Sequence, residues 1–303
     1  MEEVQKKIFH CGYVAIIGAP NVGKSTLINQ LVGRKIAAVT RKPQTTRHKI
    51  LGIMTSDEFQ IIFVDTPGVM KPAYLLHEVM MKQTISVIGD ADAIIFMLDA
   101  SMDERSDKVQ QTLAYNLLKK TGAPVIPVLN KIDLLDPTIL DRRIRHAKEM
   151  YGFEEIFLIS ALTNTGIPAM LSAVSSKLPE HPAFYPAEVI SEQPEKFFVA
   201  EIIREKIFEQ YEEEIPYSSS IDIVEFKEQD GRKDVIHAEI YVEKEQQKGI
   251  IIGKKGLALK KVGEEARKDI ELFLGRPVYL QLYVKVREKW REQHKWLKRL
   301  GYE

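Results

Sequence analysis

The sequence predicts an α/β domain, built on a mostly parallel sheet with helices on both faces, followed by a smaller α+β domain. Three observations carry the prediction. From residue 13 to about 178, apolar β-branched runs alternate with helix-patterned segments. Pro179, Pro182, Pro186 and Pro194 then break the alternation, as a linker does. Beyond them the order becomes helix, two alternating strands, two helices and a strand. The expected division is 1–178, a linker over 179–195, and 196–303 with a basic C-terminal helix. A chain of 303 residues is long enough for two hydrophobic cores.

Tyr13-Val14-Ala15-Ile16-Ile17 has the continuous apolar pattern of a buried parallel strand. A glycine-rich loop follows, and residues 26–32 read as a helix stopped by Gly33. The runs 48–55 and 59–64, joined through Ser56-Asp57-Glu58, form a hairpin, so one edge strand runs antiparallel. Further strands are predicted over 93–98, 125–129 and 156–159, with helices over 74–88, 107–120, 139–151 and 167–178. In the second half, 196–211 is helical and is followed by Glu212-Glu213-Glu214 and Pro216. The stretches 220–227 and 235–243 alternate around Gln229-Asp230-Gly231-Arg232, an antiparallel hairpin. Residues 246–253 and 257–274 are helical, 278–286 is a strand, and 289–300 closes the chain as a helix.

Composition is that of an ordinary globular protein, 45% hydrophobic and 28% charged with zero net charge. Neutrality means that any basic surface for nucleic acid must be local. Lys6-Lys7 and Glu212–Glu214 read as solvated surface. The single Cys11 excludes a disulfide framework and a cysteine-cluster zinc site, and suits a reducing cytosol. No N-terminal apolar core with a cleavage site and no apolar run of about 18 residues is found, so neither a secretory leader nor a membrane span is expected.

The chemistry starts at Gly18-Ala19-Pro20-Asn21-Val22-Gly23-Lys24-Ser25, which fits G-x-x-x-x-G-K-[ST] between a strand and a helix that opens at Thr26. Backbone N–H groups of such a loop point inward at phosphates, and the helix N-terminus adds its dipole. Lys24 reaches the β/γ-phosphates and the Ser25 hydroxyl ligates Mg²⁺. Asp65-Thr66-Pro67-Gly68 ends the second buried strand. There the carboxylate of Asp65 holds Mg²⁺ through water and the N–H of Gly68 meets the γ-phosphate. Asn130-Lys131-Ile132-Asp133 ends a third strand. Asp133 can accept from both N1–H and N2–H₂ of guanine, whereas adenine would leave the carboxylate unpaired. Asn130 braces this pocket, and the Lys131 stem covers one face of the base. Ser160-Ala161-Leu162 offers backbone N–H groups to the guanine oxygen. In this order, the four segments resemble the P-loop domain of the translation-related GTPases, which bind GTP and GDP.

Gly253-Lys254-Lys255-Gly256 lies between the paired helices of the second half, preceded by Ile250-Ile251-Ile252. The order α-β-β-α-α-β around it resembles the type II KH fold, in which a GXXG loop clamps the backbone of single-stranded RNA. The RNA-binding residues are then Ile252, Gly253, Lys254, Lys255 and Gly256. The cations spread through 285–299 read as a solvated helix face, and Trp290 and Trp296 as packing residues.

A GTPase domain followed by a KH domain is similar to the Era family of bacterial ribosome-assembly GTPases. Lys42-Pro43-Gln44-Thr45-Thr46-Arg47-His48 resembles that family's switch I. The resemblance implies GTP and Mg²⁺ binding, slow hydrolysis, and nucleotide-controlled binding to the 3′ end of 16S rRNA. It further implies a role in assembling the 30S subunit, a cytoplasmic location, and peripheral attachment to the inner membrane; DNA is not expected as a partner. Lys24, Thr46 and Gly68 become the catalytic set, and Thr46, with Thr45 as its rival, the second protein ligand to Mg²⁺. Val69 follows Gly68 where Ras-like enzymes carry a water-orienting glutamine. Relatives with an apolar residue there often use K⁺, held by the loop asparagine, here Asn21. Two rival readings are an RNA chaperone with negligible turnover and a signalling GTPase that recruits proteins.

Overall fold

The computed structural model describes residues 8–102 and 108–302; Lys6, Lys7 and Asp107 lie outside them. Contacts divide the chain into two compact units. The first comprises residues up to Ile36, His48–Lys71 and Met81–Glu192; the second comprises Ala37–Arg47, Pro72–Met80 and the chain from Gln193 onward.

The first unit is built from β1 (His10–Gly18), α1 (Lys24–Val32), β2 (Ile50–Thr55), β3 (Phe59–Asp65), the part of α2 (Leu75–Asp90) from Met81 onward, β4 (Ala93–Asp99), α3 (Lys108–Leu118), β5 (Val125–Asn130), α4 (Pro137–Tyr151), β6 (Phe157–Leu158) and α5 (Ile167–Ser175). Its sheet runs β2-β3-β1-β4-β5-β6, with β2 antiparallel to β3 and every other pair parallel. The central strands are apolar on both faces because helices cover both: Val14 to Ile17 and Ala93 to Met97 have no exposed surface. Register aligns the carboxyl ends of the strands, setting Asp65 opposite Ile16 and Asn130 opposite Asp99. In open α/β sheets that edge is where ligands bind.

Local chemistry sets the element ends. The Asp136 side chain accepts from the N–H of Ile139 (3.0 Å) with Pro137 in the first turn, and this capping starts α4. The last strand is shorter than the expected 156–159. Ser160 turns back and exchanges backbone hydrogen bonds with Thr165 (3.0 and 3.2 Å), so the strand closes at Phe157–Leu158, with the N–H of Ile159 making a last bond to the Leu129 carbonyl (3.0 Å).

The proline-containing stretch after α5 is hydrogen-bonded onto the first unit. The Gln60 side chain is fully buried and accepts from the N–H groups of Phe184 (2.8 Å) and Tyr185 (2.9 Å). Its amide donates to the Tyr185 carbonyl (2.8 Å), and the N–H of Ile53 donates to Ile190 (2.9 Å). These bonds reach Ile190, two residues short of the first unit's boundary at Glu192.

The second unit holds α6 (Glu195–Gln210), α7 (Ile215–Ser218), β7 (Ser220–Lys227), β8 (Asp234–Val242), α8 (Glu245–Ile252), α9 (Leu257–Leu274), β9 (Val278–Val286) and α10 (His294–Arg299). Its sheet order is β7-β8-β9, the first pair antiparallel and the second parallel. Parallel neighbours need a crossover, and α8 with α9 provides it. Ile203, Ile236, Ile240, Ile251, Val262 and Ile270 have no exposed surface and form the centre of this core. Each contributes about 1.5–3 kcal/mol by burial.

The closing helix expected over 289–300 is interrupted. Lys289 adopts a left-handed backbone (φ 52°), Trp290–Glu292 forms a 3₁₀ turn, and Gln293 is extended before α10 begins. Burial of Trp290 accounts for the break: its indole N–H donates to the Ser218 carbonyl (2.9 Å) and the ring has no exposed surface. Trp296 is half-buried, 5.2 Å from the Tyr241 ring and flanked by the guanidinium groups of Arg287 and Arg299. Among the described residues no helix is long and apolar enough to cross a membrane.

Gly166, which opens α5 at φ 72°, limits what this turn can accept. A methyl group there would lie 2.0 Å from the Leu158 carbonyl oxygen. Gly166→Ala should therefore lower the unfolding free energy by about 2 kcal/mol or more, read from urea denaturation.

Candidate functional site

In the first unit the loop between β1 and α1 is wound by two left-handed residues, Asn21 (φ 64°) and Gly23 (φ 102°). Gly23 lies so close to β5 that an added methyl would meet the Asn130 side chain at 2.3 Å. Lys24 opens α1 and folds back under the loop. Its ammonium donates to the carbonyls of Ala19 (2.9 Å) and Gly18 (3.3 Å) and is 5% exposed. Burial holds its pKa down to about 8, with the Asp65 carboxylate pulling the other way. The Ser25 hydroxyl donates to Asp65 (2.7 Å), which is fully buried at the end of β3. Thr66 donates to the Ile16 carbonyl (3.0 Å), and the Val69 N–H donates to the Gly18 carbonyl (3.1 Å). These bonds tie the segment 65–69 to the loop backbone, with Gly68 packed against Pro20. The Val69 side chain is 2% exposed, so it faces the interior.

Asn130 joins the remaining segments. Its amide donates to the Val22 carbonyl (2.8 Å) and its carbonyl accepts from the N–H of Ala161 (2.9 Å). Lys131 takes a left-handed backbone (φ 66°) that starts the 3₁₀ turn Ile132–Leu134, on which the Asp133 side chain is exposed. The N–H of Ile132 donates to Ile159 (3.3 Å), holding this turn beside residues 160–162. Ser160 and Ala161 are buried, whereas Leu162 is exposed.

Sequence reasoning passed over Asp99. Its carboxylate sits 2.5 Å from the Lys131 ammonium and accepts from the backbone and hydroxyl of Ser101 (2.8 and 2.6 Å). Asp99 thereby holds the Lys131 stem in one direction. The available signal was its place as the polar residue ending an apolar strand, as Asp65 and Asn130 do.

Thr45 and Thr46 belong to the second unit. Each is 8% exposed, and the Thr45 hydroxyl lies 2.6 Å from that of Thr40 and donates to the Lys42 carbonyl (2.8 Å). In the same unit the turn from α8 to α9 is left-handed at Gly253 (φ 69°), Lys255 (φ 52°) and Gly256 (φ 76°). Lys254 and Lys255 are exposed there, while Ile252 is half-buried beneath them. Among the described residues neither lysine has a carboxylate partner within 4 Å. Ile250 and Leu257, 51% and 64% exposed, extend an apolar surface beside the two charges.

A phosphate-type loop on a parallel sheet, with Asp65 beside Ser25 and an Asn130-Lys131-Ile132-Asp133 turn next to it, defines a P-loop GTPase, here carrying a KH unit in the same chain. Comparison with known proteins agrees. The family described as 50S ribosome-binding GTPase matches residues 13–131, and the KH domain family matches residues 214–291. The chloroplastic GTPase ERA1 of Zea mays is 47% identical over 96% of this chain and 70% of that protein. GTPase Era of Lactobacillus helveticus is 44% identical over 99% of this chain and 98% of its own. The solved structure of Era in complex with MgGDPNP and nucleotides 1506–1542 of 16S ribosomal RNA is 39% identical. It superposes with a TM-score of 0.92 over 97% of this chain and 99% of that one. The chain belongs to the Era family and is a GTPase.

The state of Lys24 makes this site sensitive to pH. Burial lowers its pKa to about 8 against the pull of Asp65, and the added negative charge of a triphosphate bound beside it should raise it. The bound protein then carries more protons, so nucleotide binding takes up a proton and weakens as pH climbs from about 8 toward 10. Calorimetry near pH 8.5 in two buffers of different ionisation enthalpy should register the uptake, and Lys24→Met should abolish it.

Proposed function

We propose that this protein is a GTP-controlled binder of single-stranded RNA that engages the 3′ end of 16S rRNA during assembly of the 30S subunit. The observation that supports it best is the 39% identical relative solved with both MgGDPNP and 16S rRNA nucleotides, because the likeness spans the loop of the first unit and the KH unit together. The proposal places the protein in the cytoplasm, peripherally attached to the inner membrane.

In this reading residues 18–26 cradle the phosphates and Lys24 leaves its two loop carbonyls for the β/γ oxygens. Ser25 and Asp65, 2.7 Å apart, are the hard oxygen donors that fit Mg²⁺. When bound, that ion neutralises charge on the phosphate oxygens. Thr46, with Thr45 as its rival, adds a second hydroxyl, and Gly68 offers its N–H to the γ-phosphate. Asp133 selects guanine, Lys131 covers the base, and the N–H groups of residues 160–162 meet the guanine oxygen. With Val69 turned inward, no side chain directly after Gly68 orients the attacking water. Asn21 holding K⁺ is proposed to supply part of what the glutamine supplies elsewhere. Lys254 and Lys255 hold RNA phosphates.

Guanine selection is tested by exchanging the ring partner. Asp133→Asn should lose GTP affinity and gain affinity for xanthosine triphosphate, which has a carbonyl in place of the guanine amino group. Unchanged GTP affinity in the variant would contradict the assignment.

Replacing Lys254 and Lys255 by Asp, with Gly253 and Gly256 kept, should weaken RNA binding at least about tenfold. Each lost phosphate contact should flatten the log–log salt dependence by about 0.7. GTP affinity and basal hydrolysis should stay near the parent values. Retained RNA affinity in a folded double variant would remove the GXXG loop from the clamp.

A further inference from the structure

Residues 37–47 precede β2 in the chain yet make their contacts within the second unit. Two cations anchor them. The Arg47 side chain, 2% exposed, donates to the carbonyls of Ser219 (2.7 Å) and Pro216 (2.8 Å) and lies over the Phe208 ring at 5.5 Å. The Lys42 ammonium donates to the carbonyls of Phe208 (2.6 Å) and Tyr211 and pairs with Glu212 (3.1 Å). These carbonyls lie at the C-terminal ends of α6 and α7, where backbone acceptors have no helical partner and the helix dipole favours a cation. Residues 42–47 are thus held at both ends by cations on helix-end carbonyls, and Thr45 and Thr46 lie between the anchors.

The anchors connect to the RNA loop. Tyr211 accepts from Lys42 through its carbonyl, and through its buried hydroxyl it donates to the Ile251 carbonyl at 2.7 Å. Ile251 lies in the last turn of α8, two residues before Gly253. A displacement of the loop that carries Lys254 and Lys255 therefore shifts the acceptor of Tyr211, and Tyr211 in turn shifts the acceptor of Lys42.

We propose that Lys42, Arg47 and Tyr211 are positioning residues for GTP hydrolysis, through which RNA on the GXXG loop acts on Thr45 and Thr46. This rests on the reading that the loop binds RNA and that one of these threonines serves the nucleotide. None of the three touches the reacting atoms; they set where the threonine hydroxyls are held. Linkage requires that an RNA effect on nucleotide affinity be matched by an equal nucleotide effect on RNA affinity.

The test compares kcat, KM and the affinity for GDPNP, each with and without a single-stranded RNA of the 16S 3′-end sequence. Lys42→Met and Tyr211→Phe keep side-chain bulk; the first removes the links to Phe208, Tyr211 and Glu212, the second only the link to Ile251. Both should leave RNA affinity and RNA-free GDPNP affinity within about twofold, while the RNA-induced change in kcat shrinks at least about fivefold. KM without RNA should hold. Arg47→Lys should retain part of the RNA effect and Arg47→Ala none; if Arg47→Ala fails to fold, the Lys42 and Tyr211 variants decide. An RNA effect of parent size in folded Lys42→Met and Tyr211→Phe overturns the proposal, as does a parent protein that binds RNA without any change in kcat or GDPNP affinity. A parent protein that does not bind the RNA overturns the functional reading itself, so the two failures are distinct.

Discussion

The Asn130 carboxamide is the bond on which the nucleotide site depends. One side chain at the end of β5 grips the glycine-rich loop through Val22 and the turn at residues 160–162 through Ala161. Both partners are backbone groups, so the asparagine fixes the chain path and not merely a rotamer. The spacing leaves no room for a Cβ at position 23, which is why the loop carries glycine where it passes β5. An aspartate there could accept from Ala161 but would present a carboxylate oxygen to the Val22 carbonyl. A leucine would leave two buried backbone groups without partners, at about 1–3 kcal/mol each. The carboxamide offers a donor and an acceptor on one planar group, and the site needs one of each.

Around this bond the other segments are held by the same economy of polar links between strand ends. Ser25 to Asp65, Thr66 to Ile16 and Lys131 to Asp99 each join residues separated by one or more elements. The parallel register makes this feasible by bringing the carboxyl ends of β1, β3, β4 and β5 to a common edge. The second unit solves a different problem. Its parallel pair β8–β9 forces a crossover, and the turn of that crossover is the four-residue loop with two lysines. The same topological demand that completes the core thus puts two exposed lysines on a left-handed turn.

Most elements were legible because punctuation and period agree. Gly33 ends a helix as read, and the β-branched runs of β1 and β4 are buried on both faces, whereas the Asp136-Pro137 start of α4 precedes the expected 139. The nucleotide segments were legible because their spacing encodes backbone geometry that few other residues support. What escaped notice has little or no local signature. Gln60 looks like any polar strand residue, yet it is fully buried and carries three hydrogen bonds to residues more than 120 positions away. Asp99 needed Lys131 in space to acquire a role. The helical period over 289–300 was real, but burying the Trp290 indole against Ser218 outweighed it. The attachment of residues 37–47 to the second unit rests on carbonyls of residues 208–219, which no reading of a seven-residue motif could supply.

That attachment has a consequence for how the chain is made. The carbonyls that receive Arg47 lie 169 and 172 residues further along. At roughly 5–20 residues per second, a ribosome needs on the order of 10 to 30 s to produce them after Arg47 has emerged. During that interval the strands of the first unit through β6 are synthesised, while Lys42 and Arg47 have no helix ends to grip. The nascent protein passes through a stage in which its nucleotide fold is complete and the segment between those cations is uncommitted.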